Sequence, residues 1–328
     1  MALPRLLFLH TGGTLGMIQR APGPLEPGFY DANLLPFVAG LDAIADIEGR
    51  VVCALDSSDL SPAIWVELAT IIANSLDRFD GFVILHGTDT MAWTASALSY
   101  MLRGLDRPVI LTGSQRPLAE LRTDARSNVV HSAICATRPI PEVGLCFGDT
   151  LFRGNRATKV SIQDYGAFAS PNAPPLLRMG VDIEVGPTLP PPTAPFSLAA
   201  AVSESVSVLT LFPGMSPVSL LRLAESSAVV VLRGFGEGNI PQARWPEAIA
   251  QVCAGGGAVV VTSQSARGRV LPGRYQCSQR ARDAGAFFAS DMTLEATVTK
   301  IMWLLGQGVA PADLGGPLLR PLAGELSP

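Results

Sequence analysis

The chain has 328 residues, enough for one to three domains with real cores, and carries 24 Lys and Arg against 28 Asp and Glu, a formal net charge of −4. Charged residues make up only 16% and hydrophobic ones 48%, and no clustered run of Lys and Arg occurs, which excludes a nucleic-acid binder built on phosphate contacts. The 32 Gly and 27 Pro are scattered among apolar runs, which excludes collagen-like and disordered classes. So low a charge content implies either a weakly charged surface or a surface partly hidden in an oligomer.

The opening segment holds one basic residue and a four-residue apolar run, Leu6–Leu9. A secretory signal needs about 7–15 apolar residues, so this start reads as a first strand. No apolar stretch approaches the roughly 18 residues of a membrane span, and no membrane partner is expected. Short apolar runs bounded by turn residues then alternate with helical periods, which predicts an α/β fold with a mainly parallel sheet flanked by helices. Strands are expected at Leu6–His10, Val51–Leu55, Gly81–His86, Pro108–Thr112, Val143–Phe147 and Lys159–Ile162, with helices at Pro62–Asp77, Met91–Leu102 and Ala125–Ala136. Ser61-Pro62 fits an N-cap followed by proline in the first turn, and Met91, Ala95, Leu98 and Leu102 form an apolar stripe.

Five prolines within Pro187–Pro195 interrupt regular structure and mark an extended linker. Beyond it, strands at Val206–Leu211, Ala228–Leu232 and Ala258–Thr262 and helices near Pro217–Ser226, Trp245–Ala254 and Thr293–Gln307 predict a second, smaller α/β domain. The expected organisation is an N-terminal catalytic domain over 1–186, a linker over 187–196 and a C-terminal α/β domain over 197–328. The five cysteines (Cys53, Cys135, Cys146, Cys253, Cys277) are odd in number and lack CxxC spacing, the pattern of reduced thiols in a cytoplasmic protein. His10, His86 and His131 lack HxxxH or HExxH spacing, so no metal site is expected.

Polar clusters follow the apolar runs directly, and in parallel α/β sheets the carboxyl ends of the strands form the ligand crevice. In Thr11-Gly-Gly-Thr14, Gly12 and Gly13 permit close approaches that place Thr14 at the start of the next segment. The motif reads as a hydroxyl nucleophile beside backbone N–H donors, or as a tight strand turn, or as a phosphate cradle without the Gly-Lys-Ser/Thr of a P-loop. His86-Gly87-Thr88-Asp89-Thr90 adds a second hydroxyl and a carboxylate able to meet an ammonium group, although Asp89 or Thr90 could equally cap the next helix. His86 reads as a satisfied strand-end histidine. Lys159 closes Arg153–Lys159; a lysine drawn into a crevice becomes a proton acceptor, whereas most lysines are solvated.

Taken together, Thr11–Met17, Asp56-Ser57-Ser58-Asp59, Gly81–Ala92, Thr112–Arg122, Arg153–Lys159 and Ala167–Asn172 resemble the bacterial-type L-asparaginase family, cytosolic type I branch. Arg233–Asn239 and Asp291–Ala296 extend that resemblance through the second domain. The resemblance implies hydrolysis of L-asparagine, or a similar small amide, to L-aspartate and ammonia, with no metal and no cofactor. It implies Thr14 as nucleophile and a triad of Thr88, Lys159 and Asp89 that accepts protons. Ser57, Ser58, Gly13, Gly87 and Ser114 are implied substrate contacts, with Asn239 contributed from a neighbour in a homodimer or homotetramer.

The family's lid tyrosine falls, without gaps, on Pro24, and the nearest tyrosine is Tyr30. Either Tyr30 serves from a rearranged loop, or Thr14 is activated differently or more weakly, with Pro22, Pro24 and Pro27 stiffening the segment. Ser265, in Thr262–Ser265, stands where the family pattern has a cysteine in a regulatory region. Two competing readings remain. One is a related amidase or amidotransferase subunit acting on another amide, such a subunit being expected to carry a further domain before its first strand. The other is a non-catalytic amino-acid sensor, which needs no pair of hydroxyls.

Overall fold

The computed structural model describes residues 2–19, 25–27 and 38–327. Pro22, Pro24 and Tyr30, the residues assigned to a lid, lie outside the described residues. The chain divides into two compact units, Met1–Ala200 and Ala201–Pro328.

The first unit is built on an eight-stranded sheet. Five strands run parallel: β1 (Arg5–Gly12), β2 (Asp46–Leu55), β3 (Gly81–Leu85), β4 (Val109–Thr112) and β5 (Val143–Phe147), in the order β2-β1-β3-β4-β5. Both β3 and β5 are buried at every residue, as strands covered on both faces must be. The helices α1 (Pro62–Ala73), α2 (Met91–Met101) and α3 (Ala125–Ala136) connect them. Leu6, Phe8, Val83, Leu85 and Ile110 pack with Val129 and Ala133 of α3 in one core.

Three further strands extend the sheet antiparallel: β6 (Thr150–Arg153), β7 (Leu177–Met179) and β8 (Ile183–Val185). They are too short to show a period in the sequence. The expected strand Lys159–Ile162 is reduced to Thr158–Lys159, which pairs with Phe168–Ala169 outside the main sheet. The apolar stripe expected on α2 understates its burial, since every residue of the helix except Trp93 is buried. Ser61 sits at the N-cap of α1 without a side-chain bond, leaving Pro62 in the first turn as the local start signal.

The second unit is a four-stranded parallel sheet, β9 (Val206–Thr210), β10 (Val229–Gly234), β11 (Ala258–Ser263) and β12 (Phe287–Phe288), in that order. Its helices are α4 (Val218–Ala224), α5 (Trp245–Ala254), α6 (Gln276–Asp283), α7 (Leu294–Gly306) and α8 (Gly315–Leu319). Trp245, Ile249 and Val252 of α5 pack against Val230, Leu232, Val259 and Val261 of the sheet. The fold is the predicted one: a larger, mainly parallel sheet with helices, followed by a smaller α/β unit.

Candidate active site

The order β2-β1-β3 places the reversal of strand order between β1 and β3. Chains leaving the carboxyl ends of two such strands diverge to opposite sides and leave a crevice. Thr14 follows β1, and Thr88 follows β3. Beside them Ser57 opens a single 3₁₀ turn, Ser57–Asp59, at the end of β2.

Glycines hold these three turns together. Gly13 has φ 84° and ψ 177°, a backbone conformation that side chains disfavour, and its N–H donates to Leu55 O at 3.1 Å. A Cβ on Gly87 would lie 2.6 Å from the Ser57 Cβ and 3.3 Å from the Gly13 Cα. Thr90 donates from Oγ1 to Ser57 O at 2.7 Å, and no side chain caps α2. The capping alternative for Thr90 therefore fails, because its hydroxyl binds another turn. Ser58 is exposed, and both its N–H and its Oγ donate to Asp56 Oδ1, at 2.8 and 2.7 Å. Those two bonds, the backbone one first, hold the Asp56 carboxyl below its ordinary range.

Lys159 arrives from the segment after β6, outside the main sheet. Asn155 and Arg156 are buried in a short turn, Gly154–Arg156, which packs closely against α2: a Cβ on Gly154 would meet the Ala95 Cβ at 3.1 Å. Arg156 Nη2 donates to Asn172 O at 2.8 Å. From this anchor Lys159 Nζ reaches Thr88 Oγ1 at 2.8 Å and Asp89 Oδ1 at 2.6 Å. Thr88 is 7% exposed, whereas the Asp89 side chain is 64% exposed and keeps an oxygen toward solvent.

His86 is fully buried with both ring nitrogens bonded, Nδ1 to Gly87 O at 2.7 Å and Nε2 to Thr94 Oγ1 at 2.9 Å. A carbonyl only accepts, so Nδ1 carries the proton and Nε2 accepts from Thr94, whose oxygen accepts from Trp65 Nε1 at 3.0 Å. Burial drives its pKa down to about 4. Such an imidazole stays neutral and supports the turn.

Ser114 is buried and donates to Arg116 O at 2.6 Å, bracing the turn after β4. Its neighbour Gln115, which sequence reasoning passed over, accepts from Thr88 Oγ1 at 3.3 Å and donates to Asp164 O at 3.2 Å. Asn239 belongs to the second unit, where Cys277 Sγ donates to its Oδ1 at 3.2 Å. Among the described residues no three His, Cys, Asp or Glu side chains gather as metal ligands.

The family model described as Asparaginase, N-terminal matches residues 5–190, and that described as Glutaminase/Asparaginase C-terminal domain matches residues 205–315. L-asparaginase 1 of Escherichia coli (strain K12) is 38% identical over 97% of this chain and 97% of its own length. The thermostable L-asparaginase of Thermococcus kodakarensis superposes with a TM-score of 0.91 at 34% identity, covering 99% of each chain. A glutamyl-tRNA(Gln) amidotransferase subunit of Methanothermobacter thermautotrophicus is 33% identical over 99% of this chain and 77% of that protein.

Proposed function

The chain belongs to the asparaginase family and is an amide hydrolase; from that premise we propose that it converts L-asparagine to L-aspartate and ammonia through Thr14. The observation that carries the reading is Lys159 Nζ, bonded at once to Thr88 Oγ1 and Asp89 Oδ1 beside the crevice. An amine within reach of a hydroxyl is the base that covalent acyl transfer requires.

In this reading Thr14 Oγ1 attacks the side-chain amide carbon and its proton passes toward Lys159 and Thr88. The C–N bond breaks as the nitrogen takes up a proton, ammonia leaves, and the aspartyl group stays on Thr14 as an ester. Water then attacks the ester, its proton returns to the Thr14 oxygen, and aspartate departs. Backbone N–H groups near Thr14 and Thr88 stabilise the oxyanion, but Gly13 N–H is committed to Leu55 O. The solvent-facing oxygen of Asp89 suits the substrate's α-ammonium, and Ser57 and Ser58 its α-carboxylate or amino group. Ser114, Gly87 and the neighbour's Asn239 complete the proposed contacts.

The likeness to an amidotransferase subunit favours a second reading, in which the same chemistry acts on another amide. Ammonia release from L-asparagine, L-glutamine and D-asparagine, with Thr14→Ala and Thr88→Ala controls, separates the two. No release from any of them would remove the hydrolase. Tyr30→Phe with unchanged kcat would exclude Tyr30 as the lid hydroxyl.

A cytoplasmic setting is supported by five free cysteines. Among the described residues no helix is long and apolar enough to cross a membrane. Assembly as a homodimer or homotetramer is supported by Val208, Phe212 and Val218, which stand 38%, 57% and 42% exposed at and beyond the edge strand β9. Sedimentation velocity distinguishes dimer from tetramer.

A further inference from the structure

We propose that Gln115 is a positioning residue for this hydrolysis, holding the Thr88 oxygen beside Lys159 and fixing the direction of its proton. The proposal rests on the roles given above to Thr88 and Lys159. It begins from hydrogen-bond polarity. Asp164 O can only accept, so the Gln115 amide must turn Nε2 toward it, at 3.2 Å. Oε1 then faces Thr88, and because a carbonyl oxygen also only accepts, the Thr88 hydroxyl must donate, at 3.3 Å. An ammonium has no lone pair, so charged Lys159 donates to the same hydroxyl, at 2.8 Å. The bonds therefore run one way, from Lys159 through Thr88 and Gln115 to Asp164 O.

When Lys159 passes a proton to Asp89 Oδ1, 2.6 Å away, its nitrogen gains a lone pair and can accept from Thr88. The hydroxyl proton then swings from Gln115 to Lys159 by rotation about Cβ–Oγ, and the oxygen does not need to move. Gln115 is itself well anchored for this. Its backbone N–H donates to Asp124 Oδ2 at 2.9 Å, the next N–H donates to Asp124 Oδ1 at 3.1 Å, and Asn128 Nδ2 donates to Asp124 Oδ2 at 3.1 Å. The acceptor turn is braced too, since Ser161 Oγ donates to Asp164 Oδ2 at 2.8 Å and accepts from Asp164 N at 3.0 Å. One side chain thus couples the turn after β4 to the segment beyond Lys159.

Gln115→Met tests this with ammonia release and a crystal structure. The substitution keeps length and removes the acceptor; kcat should fall by about 10- to 100-fold with KM changed by less than about threefold, as for a misplaced reacting group. A residue that only fills space would leave kcat unmoved, because methionine fills nearly the same volume. A Gln115→Met kcat within about twofold of wild type overturns the proposal. If wild type releases no ammonia, the hydrolase reading falls instead, and the Gln115→Met crystal structure decides the inference. Thr88 Oγ1 displaced from Lys159 supports it, and Thr88 Oγ1 in its original place refutes it.

Discussion

Gly13 and Gly87 meet backbone to backbone: a Cβ on Gly13 would lie 2.4 Å from the Gly87 Cα and 2.5 Å from the Gly87 nitrogen. The turns carrying Thr14 and Thr88 are therefore as close as the chain permits, and the separation of the two hydroxyls depends on neither glycine gaining a side chain. Gly13→Ala adds that clash to a φ of 84° and should destabilise the fold by about 1–3 kcal/mol while lowering kcat at least tenfold, roughly the effect of a 1 Å misplacement. In Gly87→Ala the new Cβ meets Ser57 Cβ at 2.6 Å and Gly13 Cα at 3.3 Å, the two turns flanking Thr88, so its main effect should be on kcat. Ammonia release alongside urea denaturation measures both, and wild-type kinetics in either variant would show that the contact is not needed.

Lys159→Met should separate activity from stability. The Lys159–Asp89 pair spans a mostly buried side chain and one that is 64% exposed, and exposed pairs contribute about 0–1 kcal/mol. Removal of a proton acceptor typically costs about 10²–10⁴-fold in rate. The expected result is near-complete loss of ammonia release with a melting temperature shifted by only a few degrees. A variant that unfolds instead would mean that Lys159 is structural.

Most of the parallel strands and their helices were legible in the sequence because each is a continuous apolar run or a clear helical period bounded by turn residues, but the two-residue strand β12 and the polar helix α6 were not. Lys159 by itself read as a solvated lysine and was singled out only by the family resemblance, whereas Thr14, Thr88 and Asp89 stood out because each follows a strand end or a glycine turn. Gln115 did not, because its part lies in the polarity of two bonds to residues 27 and 49 positions away. The antiparallel strands β6, β7 and β8 were missed because three or four residues carry no period. Ser58 reads from sequence as Ser57's equal, yet the fold buries one hydroxyl residue and leaves the other exposed beside Asp56.

Asp124 stabilises the turn that presents Gln115. Its carboxylate accepts from two backbone N–H groups and from Asn128 Nδ2, and Asn128 in turn donates to Gly113 O at 2.9 Å. Asp124→Ala leaves these buried donors without an acceptor and should cost about 2–4 kcal/mol in chemical denaturation, with a fall in kcat through Gln115. Asp124→Asn, which keeps one acceptor oxygen, should lose less. Equal stability of the alanine variant and wild type would exclude this account.

His86 predicts an acid-side loss of stability. Burial lowers its pKa from 6.5 to about 4, so between these values the denatured chain binds a proton that the native chain does not. Stability then rises with pH across that window, by up to about 3 kcal/mol, and is flat with respect to this group above it. His86→Gln should flatten the dependence of the urea midpoint between pH 6.5 and about 4. A wild-type slope retained in that variant would assign the loss to other groups.

Lys300 and Glu325 form a pair enclosed from solvent within the second unit. Lys300 Nζ donates to Glu325 Oε1 at 2.5 Å, to Leu318 O at 2.7 Å and to Arg320 O at 2.8 Å, which engages its three protons. The Glu325 carboxylate also accepts from Leu322 N at 3.0 Å and Ala323 N at 2.8 Å, so these bonds fasten the segment after α8 to α7. Lys300→Met would leave a buried carboxylate without its cation and two carbonyls without a donor. Breaking such a pair from one side costs about 3–5 kcal/mol, far more than an exposed pair. Calorimetry should show the loss as a lowered unfolding transition of this unit. Adding Glu325→Gln should recover part of it by removing the unpaired charge, whereas a double variant no more stable than Lys300→Met would place the cost in the orphaned carbonyls.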